Sequence, residues 1–249
     1  MDTYGLLGYP LGHSFSRKFF TEKFSNEGID AEYLNFEIPD ASQLRNIVSR
    51  HPQLRGLNVT IPHKQAVISQ LDALSPQARE IGAVNVIKVD RNTDGTPRLT
   101  GYNADVIGFS QSIRPLLQPH HRKALILGTG GASKAVCYGL KQLDVEPVWV
   151  SRHAPYLTYG EITPELLQEY TVIVNCTPLG MFPHTEECPP LPYESLTSRH
   201  LLYDLIYNPE ETMFMKRGQQ AGAVTKNGLE MLHLQALASW DIWQSEAPE

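Results

Sequence analysis

Ala124-Leu-Ile-Leu-Gly128-Thr-Gly130-Gly131-Ala132-Ser133 is the stretch on which the reading of this 249-residue chain turns. Four apolar residues in succession read as a strand buried on both faces, and the glycines after them let the backbone turn sharply into a helix predicted over 132–143. The first amides of a helix have no partner within it and sit at the positive end of its dipole, so this turn is built to receive an anion. Glycine here also lets the main chain approach a pyrophosphate closely. A plain tight turn is the competing reading, because glycine clusters are common.

Working outward, strands at 147–150, 171–175 and 201–205 continue a second strand–helix–strand series behind this turn. Ahead of it, a helix at 106–117 and the polar run Gln118-Pro-His-His-Arg-Lys123 interrupt the pattern. The first hundred residues alternate as strand 4–8, helix 15–24, strand 31–36, helix 41–49, strand 57–61 and helix 65–74. A hairpin follows at 83–89 and 98–100, turning at Asp94-Gly95. The last helix starts at Leu229 and carries Leu232, Ala236, Trp240 and Trp243 on one sticky face. The chain is therefore predicted to be α/β, with a parallel-rich domain over 1–105 completed by the helical segment 229–249, and a Rossmann-like dinucleotide-binding domain over 106–228.

Composition narrows the function. With 21 basic and 27 acidic residues the net charge is −6, and no dense Lys/Arg cluster breaks that field, so nucleic acid is excluded as a partner. No basic leader and no apolar run near the ~20 residues of a membrane span occurs, which predicts a cytoplasmic protein without a membrane partner. Cys137, Cys176 and Cys188 form no Cys-x-x-Cys pair and read as reduced thiols. His120-His121 has no spaced ligand set beside it, so no metal is expected.

Where an NAD site would carry a carboxylate at the end of its second strand, this chain has Val150-Ser151-Arg152-His153. The planar, permanently charged fork of Arg152 suits a 2′-phosphate and favours NADP, against the plainer reading of a solvated arginine. In Leu57-Asn58-Val-Thr60-Ile61-Pro62-His63-Lys64, Asn58 and Thr60 share one strand face ahead of a turn into a helix. On a central strand they would point into a ligand crevice, and on an edge strand they would face water. Each remaining polar residue has a structural reading: Ser16 and Asp105 as helix caps, Asn85 as an ordinary strand residue, Lys64 as a solvated lysine.

Taken together, these segments resemble the shikimate dehydrogenase family, in order along nearly the whole chain. The resemblance is carried by Gly8-Tyr-Pro-Leu-Gly-His-Ser14-Phe-Ser16, Gly56-Leu-Asn58-Val-Thr60-Ile-Pro-His-Lys64, Gly82-Ala-Val-Asn85 and Gly101-Tyr-Asn103-Ala-Asp105. Farther on it continues through Gly128-Thr-Gly-Gly-Ala-Ser-Lys-Ala135, Asn175-Cys-Thr177-Pro-Leu-Gly-Met181, Asp204-Leu-Ile-Tyr-Asn-Pro209 and Asn227-Gly-Leu-Glu-Met-Leu-His-Leu-Gln235.

The resemblance implies NADPH-dependent reduction of 3-dehydroshikimate to shikimate, in the biosynthesis of aromatic amino acids, by a monomer or homodimer. By that mapping Lys64 and Asp105 are catalytic, and Ser14 and Ser16 bind the substrate carboxylate. Asn58, Thr60, Asn85, Asp105 and Gln235 hold the ring hydroxyls and the reacting oxygen, and Tyr207 also reaches the substrate. Gly128, Thr129, Gly130, Gly131, Ala132, Ser151, Arg152 and Thr177 fall on the NADP side, with Met181, Leu205 and Gly228 near the nicotinamide.

The chain departs from the family's usual Asn-Arg-Thr pattern at Ser151 and His153, a second basic residue is replaced near Pro155-Tyr156, and residues 154–161 are short for the usual helix. Arg17 and Ala104 stand where proline and threonine are common. Two other readings are an NAD-preferring quinate/shikimate dehydrogenase and a non-catalytic sensor of nicotinamide nucleotides. Absence of an acid at the ribose position speaks against the first, and the presence of both Lys64 and Asp105 against the second.

Overall fold

The computed structural model describes residues 1–12 and 15–245. Two compact units divide the chain, one formed by Met1–Ala104 together with the segment from Ala236, the other by Asp105–Gln235.

The first unit is built on a six-stranded sheet of order β2-β1-β3-β5-β6-β4. Its strands are β1 (Asp2–Gly8), β2 (Ala31–Glu37), β3 (Leu54–Val59), β4 (Ala73–Leu74), β5 (Val86–Arg91) and β6 (Pro97–Tyr102). Neighbours β1/β2, β1/β3 and β4/β6 run parallel, while β3/β5 and the β5/β6 hairpin are antiparallel. Leu7, Leu57, Val59, Ile87, Val89 and Leu99 pack in one core with Leu44 and Val48 of α2 (Leu44–Arg50).

Helix α1 (Phe15–Glu27) buries Phe20 and Phe24, and the Phe20 ring stacks on Tyr33 at 4.8 Å. The closing helix α8 (Leu229–Gln244) seals this aromatic group with Trp243, whose Nε1 donates to the Ile87 carbonyl at 3.1 Å. Beyond it, the buried Lys88 ammonium donates to the Ser245 carbonyl, fastening the end of the helix to the hairpin.

The predicted helix at 65–74 does not form. Residues Ala66–Gln70 make a single 3-10 turn, and Ala73–Leu74 join β6 as a short strand. The apolar spacing of Val67, Ile68 and Leu71 mimics a helix, yet Asp72 overrides it. Its amide donates to the Leu99 carbonyl at 2.9 Å, while its carboxylate accepts from the Leu99 amide at 2.7 Å and from Arg45 at 2.6 Å. Helix α3 (Pro76–Ile81) comes later, with Pro76 in its first turn and the Ser75 hydroxyl accepting from the Ala78 amide at 3.1 Å.

The second unit is a fully parallel sheet of order β12-β11-β10-β7-β8-β9. Its strands are β7 (Lys123–Leu127), β8 (Glu146–Ser151), β9 (Leu157–Thr158), β10 (Val172–Asn175), β11 (Leu201–Asp204) and β12 (Val224–Lys226). Alternation along β7 explains its unbroken apolar run. Ala124 and Ile126 enter a core shared with α4 (Asp105–Ile113) and α5 (Gly131–Gln142). Leu125 and Leu127 enter another, with Leu167 of α6 (Pro164–Glu169) and Phe214 and Met215 of α7 (Met213–Gln220). A strand covered on both faces has no polar side to offer.

Helix α8 was expected to belong wholly with the first domain. Residues 229–235 instead group with the second unit, because Met231 packs in the Phe109 core and the Gly108 Cα has no room for a side chain against the Met231 carbonyl. Among the described residues, no helix is long and apolar enough to cross a membrane.

Candidate active site

Asn58 lies on an interior strand, paired with Leu6 of β1 on one side and Val86 of β5 on the other, so the water-facing edge reading fails. Its buried amide oxygen accepts from the Tyr33 hydroxyl at 2.8 Å, and its nitrogen donates to Ser239 Oγ at 2.9 Å. The chain then leaves β3 in a stapled turn rather than a helix. The Thr60 amide donates to the Leu7 carbonyl at 2.9 Å and the Thr60 carbonyl accepts from the His63 amide at 2.9 Å. The buried His63 ring is a strut, its Nε2 set 2.7 Å from the Ile38 carbonyl to which it donates.

Lys64 follows, half-buried, with its carbonyl accepting from the Val84 amide at 2.7 Å. This bond brings the loop before β5 that carries Asn85 next to the turn that carries Lys64. The Asn85 carbonyl accepts from the Val59 amide at 2.8 Å, and its side-chain oxygen takes the Ala104 amide at 2.6 Å. Asn58, Thr60, Lys64 and Asn85 are thus gathered at one end of β3 by main-chain bonds. Ser16 sits within α1 rather than capping it, and its hydroxyl bonds the Tyr33 phenol, itself pushed to a higher pKa by burial. Ser14 lies outside the described residues.

In the second unit Asp105 is the buried first residue of α4, and Gln235, also buried, donates its Nε2 to the Leu232 carbonyl at 2.9 Å. Tyr207 is 39% exposed, just beyond β11. The strand order reverses between β7 and β10, which makes their carboxyl ends the topological switch point where open α/β sheets take their ligands.

Gly128 follows β7 there with φ +97°, and an added Cβ would come within 3.0 Å of Thr177 and 3.3 Å of the Cys176 carbonyl. Gly130 precedes α5, whose first residues Gly131 and Ala132 are only partly covered, while Thr129 and Gly130 are exposed. A narrow glycine turn leading into a 12-residue helix fits the pyrophosphate of a dinucleotide. Ser151 closes β8 and Arg152 follows it, exposed.

Residues 154–161 hold the short strand β9 and a 3-10 turn boxed by Thr158 and Glu161, in place of a helix. Tyr156, 43% exposed, sets its ring 6.2 Å from Trp149.

Sequence reasoning quoted Asn175 and Asp204 only within motifs, whereas they form the hub of this end of the sheet. They face each other in register on β10 and β11, with Asn175 Nδ2 donating to Asp204 Oδ1 at 3.0 Å. Asn175 Oδ1 accepts from the Thr177 amide and hydroxyl at 3.0 and 2.7 Å. The Asp204 carboxylate accepts from the Ile206 amide at 3.1 Å and the Thr212 hydroxyl at 2.6 Å. Burial pushes that carboxyl up to about 6, against the pull of these donors.

The pair therefore fixes the loops that carry Thr177, the exposed Met181 and Leu205. Gly228 belongs to the same construction, because an added Cβ would lie 2.1 Å from the Leu205 carbonyl oxygen. Among the described residues one trio has metal-ligand chemistry, His184, Glu186 and Glu187, and all three are exposed.

A family profile described as the shikimate dehydrogenase substrate binding domain matches residues 6–87, the part that holds Asn58, Thr60, Lys64 and Asn85. Over 98% of this chain and 92% of its relative, 36% of residues are identical to a shikimate dehydrogenase (NADP(+)) of Carboxydothermus hydrogenoformans. The chain belongs to the shikimate dehydrogenase family.

Solved structures of that family agree in fold. Shikimate 5-dehydrogenase of Thermus thermophilus, determined with NADP(H) and shikimate, superposes with TM-score 0.83 at 29% identity, covering 100% of this chain and 95% of the other. Shikimate 5-dehydrogenase of Listeria monocytogenes, determined with shikimate and NAD, gives TM-score 0.84 at 28% identity, covering 99% and 93%.

Proposed function

We propose that this chain is an NADP-dependent shikimate dehydrogenase, interconverting 3-dehydroshikimate and shikimate in the cytoplasm as a monomer or homodimer. The observation that carries the reading is the gathering of Asn58, Thr60, Lys64 and Asn85 at one end of an interior strand, in a chain whose near full-length relative bears that name.

Each residue then has a task set by its chemistry. Asn58, Thr60 and Asn85 offer hydroxyl and amide groups matched to the ring hydroxyls, with Gln235 and Tyr207 adding to the same set. Ser14 and Ser16 hold the carboxylate. Lys64 stands by the carbonyl oxygen on which negative charge grows, stabilises that charge and delivers a proton from Nζ. Asp105 is the catalytic carboxylate at the start of α4, matched to accept a hydrogen bond from the hydroxyl beside the reacting carbon. In the oxidative direction Lys64 takes the proton away.

Gly128, Thr129, Gly130, Gly131, Ala132, Ser151, Arg152 and Thr177 would hold the dinucleotide, with Met181, Leu205 and Gly228 along its nicotinamide end. When bound, NADPH supplies the hydride.

An NAD preference is the second reading, favoured by the altered segment after Arg152 and the missing helix at 154–161. The test follows cofactor oxidation at 340 nm with 3-dehydroshikimate and NADPH, then with NADH, and with dehydroquinate as substrate. Faster turnover with NADH would reassign the cofactor, and turnover with neither would reject the function.

A further inference from the structure

The Asn58 amide is clamped from two sides by side chains outside the proposed substrate set. Tyr33 on β2 and Ser239 on α8 both belong to the first unit, are 3% and 0% exposed, and bond the two ends of the amide at 2.8 and 2.9 Å. The Phe20 ring, stacked on Tyr33 at 4.8 Å and 11°, fixes the direction in which the phenol hydroxyl points. Ser239 sits on the same helix as Trp243, whose bond to Ile87 sets the depth of that helix against the sheet.

An asparagine side chain has two donor hydrogens and two acceptor lone pairs. With one of each engaged, a single hydrogen on Nδ2 and a single lone pair on Oδ1 are left for a ligand, in one plane. A free asparagine would lose rotamer entropy on meeting a hydroxyl, and this one is ordered beforehand.

We infer that Tyr33 and Ser239 are positioning residues for substrate, locking the Asn58 amide in the plane from which it bonds a ring hydroxyl. The inference rests on the proposed function, and it assigns affinity for the substrate to a phenol that does not touch it. The hydroxyl alone carries the role, since the ring already has its packing partner in Phe20.

Tyr33→Phe keeps the ring and removes the clamp. KM for shikimate is expected to rise about tenfold, the equivalent of roughly 1.4 kcal/mol, with kcat and the Kd for NADP held within about twofold. Ser239→Ala moves KM in the same sense. In an Asn58→Ala background, Ser239→Ala is expected to change KM no further, because its bond to the amide has nothing left to act on, while Tyr33→Phe keeps only the smaller part of its effect that runs through Ser16, whose hydroxyl also bonds the phenol. Thermal unfolding of each variant reports any loss of fold, and a purely structural role would shift Tm and leave KM alone or shift it equally in both backgrounds. An unchanged KM in Tyr33→Phe, or fully additive effects of Ser239→Ala with Asn58→Ala, overturns the inference while the wild-type chain still turns over shikimate. A wild-type chain that neither binds nor oxidises shikimate overturns the functional reading and this inference with it.

Discussion

Lys64 shows how one residue's task is separated from its neighbours'. Its main chain is held by the Val84 amide, so truncating the side chain leaves the turn intact. Lys64→Ala is expected to lower kcat by roughly 10²–10⁴-fold with KM changed little, the pattern of a group acting mainly in the transition state; steady-state kinetics showing near-normal kcat would remove Lys64 from the mechanism. Arg152→Ala is expected to weaken NADPH by about tenfold or more while sparing NADH, and equal weakening in titrations of both would show that the guanidinium does not read a phosphate.

Asp204 gives a pH prediction. Its folded value of about 6 stands above the ordinary 3.8, with burial the leading cause. A carboxyl raised in this way contributes its stability fully below the unfolded value and loses it as pH climbs through the folded one. The unfolding free-energy gap between wild type and Asp204→Asn should therefore shrink by roughly 1–3 kcal/mol from about pH 4 to pH 7, and urea titrations showing a constant gap would refute it. Asn58 and Lys64 were conspicuous in the sequence through their motif. Tyr33 and Ser239 were not, because their bonds to Asn58 span 25 and 181 positions of the chain and nothing local marks them.

Among the elements, those whose apolar pattern agrees with their tertiary contacts were legible, as β7 and α5 show. Residues 65–74 were misread because one acid, Asp72, outweighs the helically spaced Val67, Ile68 and Leu71 by pairing with β6 and Arg45. Helices α6 and α7 were overlooked although Thr163 and Thr212 mark their starts, accepting from Leu166 and Met215. Their short lengths of 6 and 8 residues leave little periodicity to detect.

Helix α8 bears the element-scale prediction. Trp243→Phe retains the ring beside Phe20 and loses the bond to the Ile87 carbonyl, leaving a buried acceptor short of its partner. A loss of about 1–2 kcal/mol in chemical denaturation is expected, and a neutral change would mean that packing alone seats the helix.

For the molecule as a whole, the α/β class and the two-part construction were readable from the alternation of apolar runs, but not the place where the last helix is shared out. One unit is continuous from Asp105 to Gln235 and carries its own sheet and both of its cores. Expressed alone, Asp105–Gln235 is expected to give a dispersed amide NMR spectrum and to bind NADPH, whereas Met1–Ala104 alone is expected to stay unfolded without Trp243 and Ser239. A folded Met1–Ala104 fragment would contradict this.

The split of the first unit reaches into biosynthesis. As the polypeptide leaves the ribosome, its opening hundred residues emerge with their aromatic group Tyr4, Phe20 and Phe24 uncovered, and they stay so until the tryptophans of the closing helix arrive. The middle of the molecule can finish folding before its beginning does. Nascent chains halted before Trp240 are thus the ones with most to gain from a chaperone.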